Sequence, residues 1–179
     1  MSTALLVVDV QNILCQGKWA AFDVLTIVAN INVIIEQTRN TGGTVVFIQH
    51  EADHDAMRFG TDGWHLHQGL NVSPHDLRVR KRTSDAFFKT NLYALLDEKR
   101  IKHVMICGMQ TEYCVDSTMR GALANGFSVT VIADGHTTLD NGVLTASQII
   151  AHHNVTMANL GNFGPAIKVM PTAALRVDS

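Results

Sequence analysis

Short apolar runs alternate along the chain with longer stretches in which apolar residues return every three or four positions. ALLVVDV (4–10) is rich in β-branched residues and predicts a buried strand. After it, Val24, Ile27, Val28, Ile31, Ile34 and Ile35 mark one face of an amphipathic helix, which Gly42 and Gly43 end. TVVFIQ (44–49) predicts a second buried strand and LRVRK (77–81) a short one. HVMICG (103–108) and SVTVIAD (128–134) predict two more. Helices are predicted over 92–101, over 112–126 with Gly126 closing it, and over 142–154. A further short strand is expected near 155–158.

Strands alternating with helices imply a mostly parallel sheet covered on both faces. In such sheets ligands bind beyond the carboxyl ends of the strands, where strand order reverses. Strand ends therefore direct the search for chemistry. Asp9 ends the first strand, where a carboxylate after LLVV is costly to bury without a partner. Lys81 ends LRVRK; alone it would be an ordinary solvated lysine. Cys114 follows GMQTEY at the expected start of a helix. Unpaired N–H groups and the helix dipole there favour a thiolate and can hold an oxyanion. If the strands before Asp9 and Cys114 are neighbours, their ends lie about 4.8 Å apart. Carboxylate, ammonium and thiol would then face one pocket, with the carboxylate moving the proton and the lysine supporting negative charge. Cys107 lies inside a strand and reads as structural; Cys15 lies in a loop.

Composition narrows the field. The 179 residues suit one domain, taken as 1–179, with 46% apolar and 17% charged residues. A net charge of −2 without a basic stripe excludes nucleic acid as an expected partner. No run is long enough to span a membrane, and MSTALLVVDV lacks a basic leader region, so a soluble cytoplasmic protein is expected. The three cysteines have no CxxC spacing, which argues against a disulfide framework or a zinc ribbon.

Four segments, LLVVDVQN (5–12), KRTSDAFFKTNL (81–92), GMQTEYCV (108–115) and VTVIADG (129–135), follow one another in a familiar order and spacing. In these the chain, from residue 5 to about 160, resembles the isochorismatase-like cysteine hydrolases, the superfamily that includes the nicotinamidases. The resemblance implies a Rossmann-like three-layer α/β/α fold with a six-stranded, mainly parallel sheet. It implies an Asp9–Lys81–Cys114 triad and a cis peptide at Met109–Gln110. It also implies an oxyanion hole built from that turn, Met109, Gln110 and Tyr113, with the cysteine N–H. The implied reaction is hydrolysis of a small-molecule amide or related C–N bond through a thioester on Cys114, with no cofactor. A small-molecule substrate and a homo-oligomer are the expected partners. Gln11, His50, Trp64 and Phe87 are the candidate substrate contacts, Phe87 more as a wall than as a contact.

One segment pulls toward a different chemistry. The stretch 50–75 carries His50, His54, His65, His67 and His75, and a connection of this length is usually functional. His50, His54, His65 and His67 could form a zinc site, but their spacing sets no common face. Nicotinamidases carry Asp-x-His just after the second strand; here QHEAD puts His50 and Ala52 in those places, and no metal is expected. The competing readings are a zinc-assisted amidase and a non-catalytic oligomeric binding protein of the same fold.

Overall fold

A computed structural model describes residues 2–53 and 55–175. Six strands, β1 (Thr3–Val8), β2 (Thr44–His50), β3 (Leu77–Lys81), β4 (His103–Met109), β5 (Ser128–Thr137) and β6 (Ile167–Met170), form one sheet in the order β3-β2-β1-β4-β5-β6. Every neighbouring pair runs parallel. Strand order reverses between β1 and β4, which opens a crevice above their carboxyl ends.

The helices are α1 (Asn12–Cys15), α2 (Val24–Asn40), α3 (Leu92–Glu98), α4 (Asp116–Ala124) and α5 (Ala146–Ala158). Alternation along β1 builds a core on each face. Leu5 and Val7 pack on the face covered by Ile27, Ile31, Ile34 and Ile35 of α2. Ala4, Leu6 and Val8 pack on the other, against Leu92 and Leu96 of α3, Met119 and Leu123 of α4 and Met157 of α5. This is the three-layer α/β/α arrangement, and the sheet is parallel throughout. Each fully buried leucine or isoleucine contributes roughly 1.5–3 kcal/mol, so α2 is held by its stripe and not by propensity.

Several boundaries differ from the sequence reading. The segment 155–158 is the last turn of α5, not a strand. That helix starts at Ala146 because Thr145 caps it, accepting from the Gln148 N–H while the Gln148 side chain returns to the Thr145 N–H. The sixth strand lies further on, at Ile167–Met170, paired with Val129–Ile132. It is a short, half-buried edge strand, and its few apolar residues carry little periodic signal. The predicted helix over 112–126 is two elements: a wide π-helical turn, Thr111–Val115, and then α4.

Candidate active site

Register brings the strand ends together. Val8 of β1 lies beside Ile48 of β2 and Gly108 of β4, and His50 of β2 lies beside Lys81 of β3. Asp9 follows β1 with a positive φ of 51°, a conformation an aspartate tolerates better than most residues. Its N–H still bonds to the Ile48 carbonyl at 2.9 Å, which fixes where the carboxylate starts.

Lys81 Nζ is the centre of the cluster. It donates to Asp9 Oδ2 at 2.7 Å, to the Thr83 carbonyl at 3.0 Å and to Cys114 Sγ at 3.2 Å. It also touches His50 Nδ1 at 3.2 Å. The Asp9 and Lys81 side chains are fully buried. Burying such a pair costs several kcal/mol per ion before their attraction returns it, so the pair is weak as a device for stability alone. Asp9 Oδ1 is buried and has no close hydrogen-bond partner, and the Cys114 thiol faces this carboxylate, which can accept its proton.

The electrostatics correct one expectation. Burial, and after it the negative charge of Asp9, pushes the Cys114 thiol up to about 12, against the opposing pull of Lys81. Burial therefore favours the neutral thiol at rest, where a helix start alone would favour the thiolate. Burial draws the Lys81 ammonium down, but Asp9 and Cys114 outweigh it and the net shift is upward. His50 is drawn down by burial and by Lys81, so a neutral imidazole faces the ammonium.

Cys114 sits in the π-helical turn, and two contacts hold that turn. The Gln110 carbonyl accepts from the Tyr113 and Val115 N–H groups, each at 3.1 Å. Thr111 Oγ1 and His136 Nδ1 lie 2.9 Å apart, and His136 Nε2 meets Asn154 Oδ1 at 2.9 Å. This buried relay runs from the turn through β5 to α5. Burial holds His136 down at about 4, so it is neutral. The Met109–Gln110 peptide is cis. Just before it, Gly108 has a φ of 119°, and a Cβ there would overlap the backbone of Val8.

The remaining candidates divide. His50 is at the cluster. Gln11 is buried and its amide is committed: Nε2 donates to the His50 and Trp64 carbonyls at 3.0 and 2.8 Å, and Oε1 accepts from the His50 N–H at 2.9 Å. It ties the loop after β2 to β1 and offers a substrate nothing further. Trp64 is buried in that loop, its ring against Phe59 and its carbonyl also held by Gln49. Phe87 stacks on Phe127, which precedes β5 at the opposite end of the sheet, so it is core and not a pocket wall. The Tyr113 N–H is spent on Gln110, which removes it as an oxyanion donor; its ring instead lines a cleft.

His54 lies outside the described residues. Among the described residues, His65 and His67 do not join His50 in a ligand cluster; the group that does converge is Asp9, His50 and Cys114, within 4.8 Å of one another. The Lys81 ammonium is in contact with all three, so its charge holds the place a cation would take. The described residues therefore do not fit a zinc ion built on the histidine-rich loop.

Gln110, Tyr113, Ile13, Leu14, Trp19 and Leu139 border a cleft of about 610 Å³ beside the turn that carries Cys114. Sequence reading missed the Thr111–His136–Asn154 contacts, as well as Glu112, Thr138, Asp140 and Asn141 of this cleft.

Fold and site define a doubly wound α/β protein with a buried carboxylate–ammonium–thiol cluster at its topological switch point. The chain belongs to the isochorismatase family, whose domain matches residues 3–158. It is similar to a streptothricin hydrolase of Streptomyces noursei, 35% identical over 138 positions that make up 76% of this chain and 50% of that enzyme. The aligned region is thus about half of that relative's length. It is also similar to the ureidoacrylate amidohydrolase RutB of Cronobacter turicensis, 28% identical over 66% of this chain and 67% of that one. A crystal structure of an isochorismatase family protein matches with a TM-score of 0.85 and 34% identity, covering 94% of this chain and 97% of the other. No helix among the described residues is long and apolar enough to cross a membrane.

Proposed function

We propose that this protein is a cysteine-dependent hydrolase that cleaves an amide or related C–N bond of a small molecule through a thioester on Cys114. The observation that carries the reading is the contact of one buried ammonium, Lys81 Nζ, with both Asp9 and Cys114 at the strand-order switch. The amidohydrolase among its relatives supports the choice of bond.

The steps follow from the geometry. Asp9 takes the thiol proton as sulfur attacks the carbonyl, and Lys81 stabilises both the carboxylate before transfer and the sulfur as charge develops on it. The N–H of Cys114 and the Met109–Gln110 turn hold the oxyanion. The tetrahedral intermediate collapses, Asp9 returns the proton to the nitrogen, and the amine leaves. Water, deprotonated by Asp9, then attacks the thioester; the acid departs and the thiol regains its proton. A neutral resting thiol makes the base essential at the moment of attack.

A panel of small amides with ammonia or amine detection tests this. Wild type is expected to turn over at least one member, and Cys114→Ala to lose essentially all of that activity. Retained hydrolysis in Cys114→Ala would end the proposal. A metal-stripped preparation is expected to keep full activity; loss on chelation would favour the zinc reading. Three free cysteines suit a reducing compartment such as the cytoplasm. The expected self-association is tested by light scattering as a mass above 19.6 kDa.

A further inference from the structure

We propose that the cleft beside the Cys114 turn is a subsite for a positively charged arm of the substrate, such as a primary amine on a short chain. This rests on the hydrolase reading and adds to it the charge of the molecule that reads the site.

The lining carries the argument. Among the described residues that line it, Glu112 and Asp140 are charged, both acidic, and none is a lysine or arginine. Glu112 Oε2 is buried and has no hydrogen-bond partner. Independently, Thr138 lines the same cleft, is 1% exposed, and its Oγ1 is also without a partner. Buried polar atoms are nearly always paired, so two orphans on one cleft mark a place where a ligand completes the bonding. A carboxylate oxygen accepts only, and its missing partner is therefore a donor. Thr138 can accept from the same ammonium. Asp140 spends Oδ1 on the Ala146 N–H at 2.7 Å, which aims the side chain and leaves Oδ2 for a second contact.

The walls agree with the charge. Tyr113 is 53% exposed and borders the cleft, presenting a ring to whatever enters. Trp19 already carries the Lys18 ammonium 4.9 Å from its ring centroid. Lys18 works against a second cation, but it is exposed and screened by solvent. An anionic arm would meet two carboxylates with only the solvent-screened Lys18 to offset them among the described residues, and a neutral apolar arm would leave Glu112 Oε2 buried and unpaired. Placement fits as well: Glu112 and Tyr113 immediately precede Cys114. Gln110, Glu112 and Tyr113 border the cleft, so it lies next to the turn that carries the sulfur.

The test uses three amides of matched length: L-lysinamide, L-norleucinamide and glutamic acid α-amide. Ammonia release is followed for wild type, Glu112→Gln and Asp140→Asn, the last keeping the acceptor for Ala146. The quantity read is the kcat/KM ratio of lysinamide to norleucinamide within each protein. In wild type it is expected to be about ten or more, the effect of one or two charge-assisted contacts. It should fall toward one in Glu112→Gln and fall by a smaller factor in Asp140→Asn. Glutamic acid α-amide should be the poorest of the three. In parallel, Cys114→Ala with and without Glu112→Gln is titrated with lysinamide and norleucinamide by calorimetry. Hydrolysis without a charge preference, or a preference that survives Glu112→Gln, overturns the subsite while the hydrolase reading stands. Tighter binding of lysinamide that depends on Glu112, with no turnover of any amide, supports the subsite and counts against the hydrolase. Neither turnover nor Glu112-dependent binding overturns the subsite.

Discussion

Lys81 has three protons and four neighbours: Asp9, Thr83, Cys114 and His50. The balance among them sets how the thiol behaves. Asp9 raises the thiol's pKa and Lys81 lowers it, so the two residues oppose each other at rest and cooperate once the proton moves. Asp9→Asn therefore separates roles that usually travel together. Turnover is expected to fall by about 10²–10⁴-fold, the ordinary value of a positioned base. Alkylation of Cys114 by iodoacetamide at neutral pH should be as fast as in wild type or faster, because the charge that disfavours thiolate is gone. A parallel fall in both rates would mean that Asp9 only holds the site together. Cys15 and Cys107 are buried and should label slowly in both proteins. Asp9, Lys81 and Cys114 were legible because each ends a recognisable strand or opens the element after one. Phe87 was misread because a phenylalanine near a catalytic segment carries no sign of which end of the sheet it packs against. His136 was illegible for a different reason: GHTT after a strand looks like the start of a loop, and nothing local shows that its ring reaches Thr111.

At the scale of elements, β4 has to approach β1 closely enough for Cys114 and Asp9 to meet. Gly108 makes this possible: its φ of 119° and the absence of a side chain let it lie against Val8, and the β4–β5 register shifts beside it. Gly108→Ala would push the strands apart at the switch point. Overpacking of this kind costs about 1–3 kcal/mol, with a further cost for a side chain at positive φ. The urea midpoint should drop accordingly, and turnover should drop with it because Asp9 and the Cys114 turn shift relative to each other. A Gly108→Ala variant of wild-type midpoint would show that the strands have room to spare. Hydrophobic pattern revealed five of the six strands, four as apolar runs and β3 as a short alternating one. β6 escaped because Ile167–Met170 is a half-exposed edge of four residues, too short to show a period. The π-helical turn escaped as well, since its sequence is compatible with an ordinary helix and the wider hydrogen bonding is set by Gln110 and the Thr111–His136 contact.

For the whole molecule, placing titratable groups in a tight α/β core makes stability depend on pH on both sides. On the acid side, burial is the leading cause that lowers His50, His67, His103 and His136 from the usual 6.5, His136 to about 4. Between those values the unfolded chain binds more protons than the fold, so stability falls as pH drops below 6.5. His136 alone accounts for roughly 3 kcal/mol at most. On the alkaline side, burial raises all three thiols from 9.0, Cys15 and Cys114 to about 12. Above 9 the unfolded chain loses thiol protons that the fold retains, so stability falls as pH rises. Lys81, raised above 10.5, adds to that fall, because its ion pair is lost only as pH passes the folded value. The urea midpoint should thus form a plateau between about pH 6.5 and 9 and decline on either side. His136→Gln should flatten the acid limb and Cys107→Ala the alkaline one, whatever each does to the plateau height. The slopes separate linkage from simple damage: a cavity or a lost hydrogen bond lowers the whole curve, whereas removing a shifted group changes its shape. Limbs of unchanged slope in both variants would show that these buried groups keep their solution pKa values in the fold.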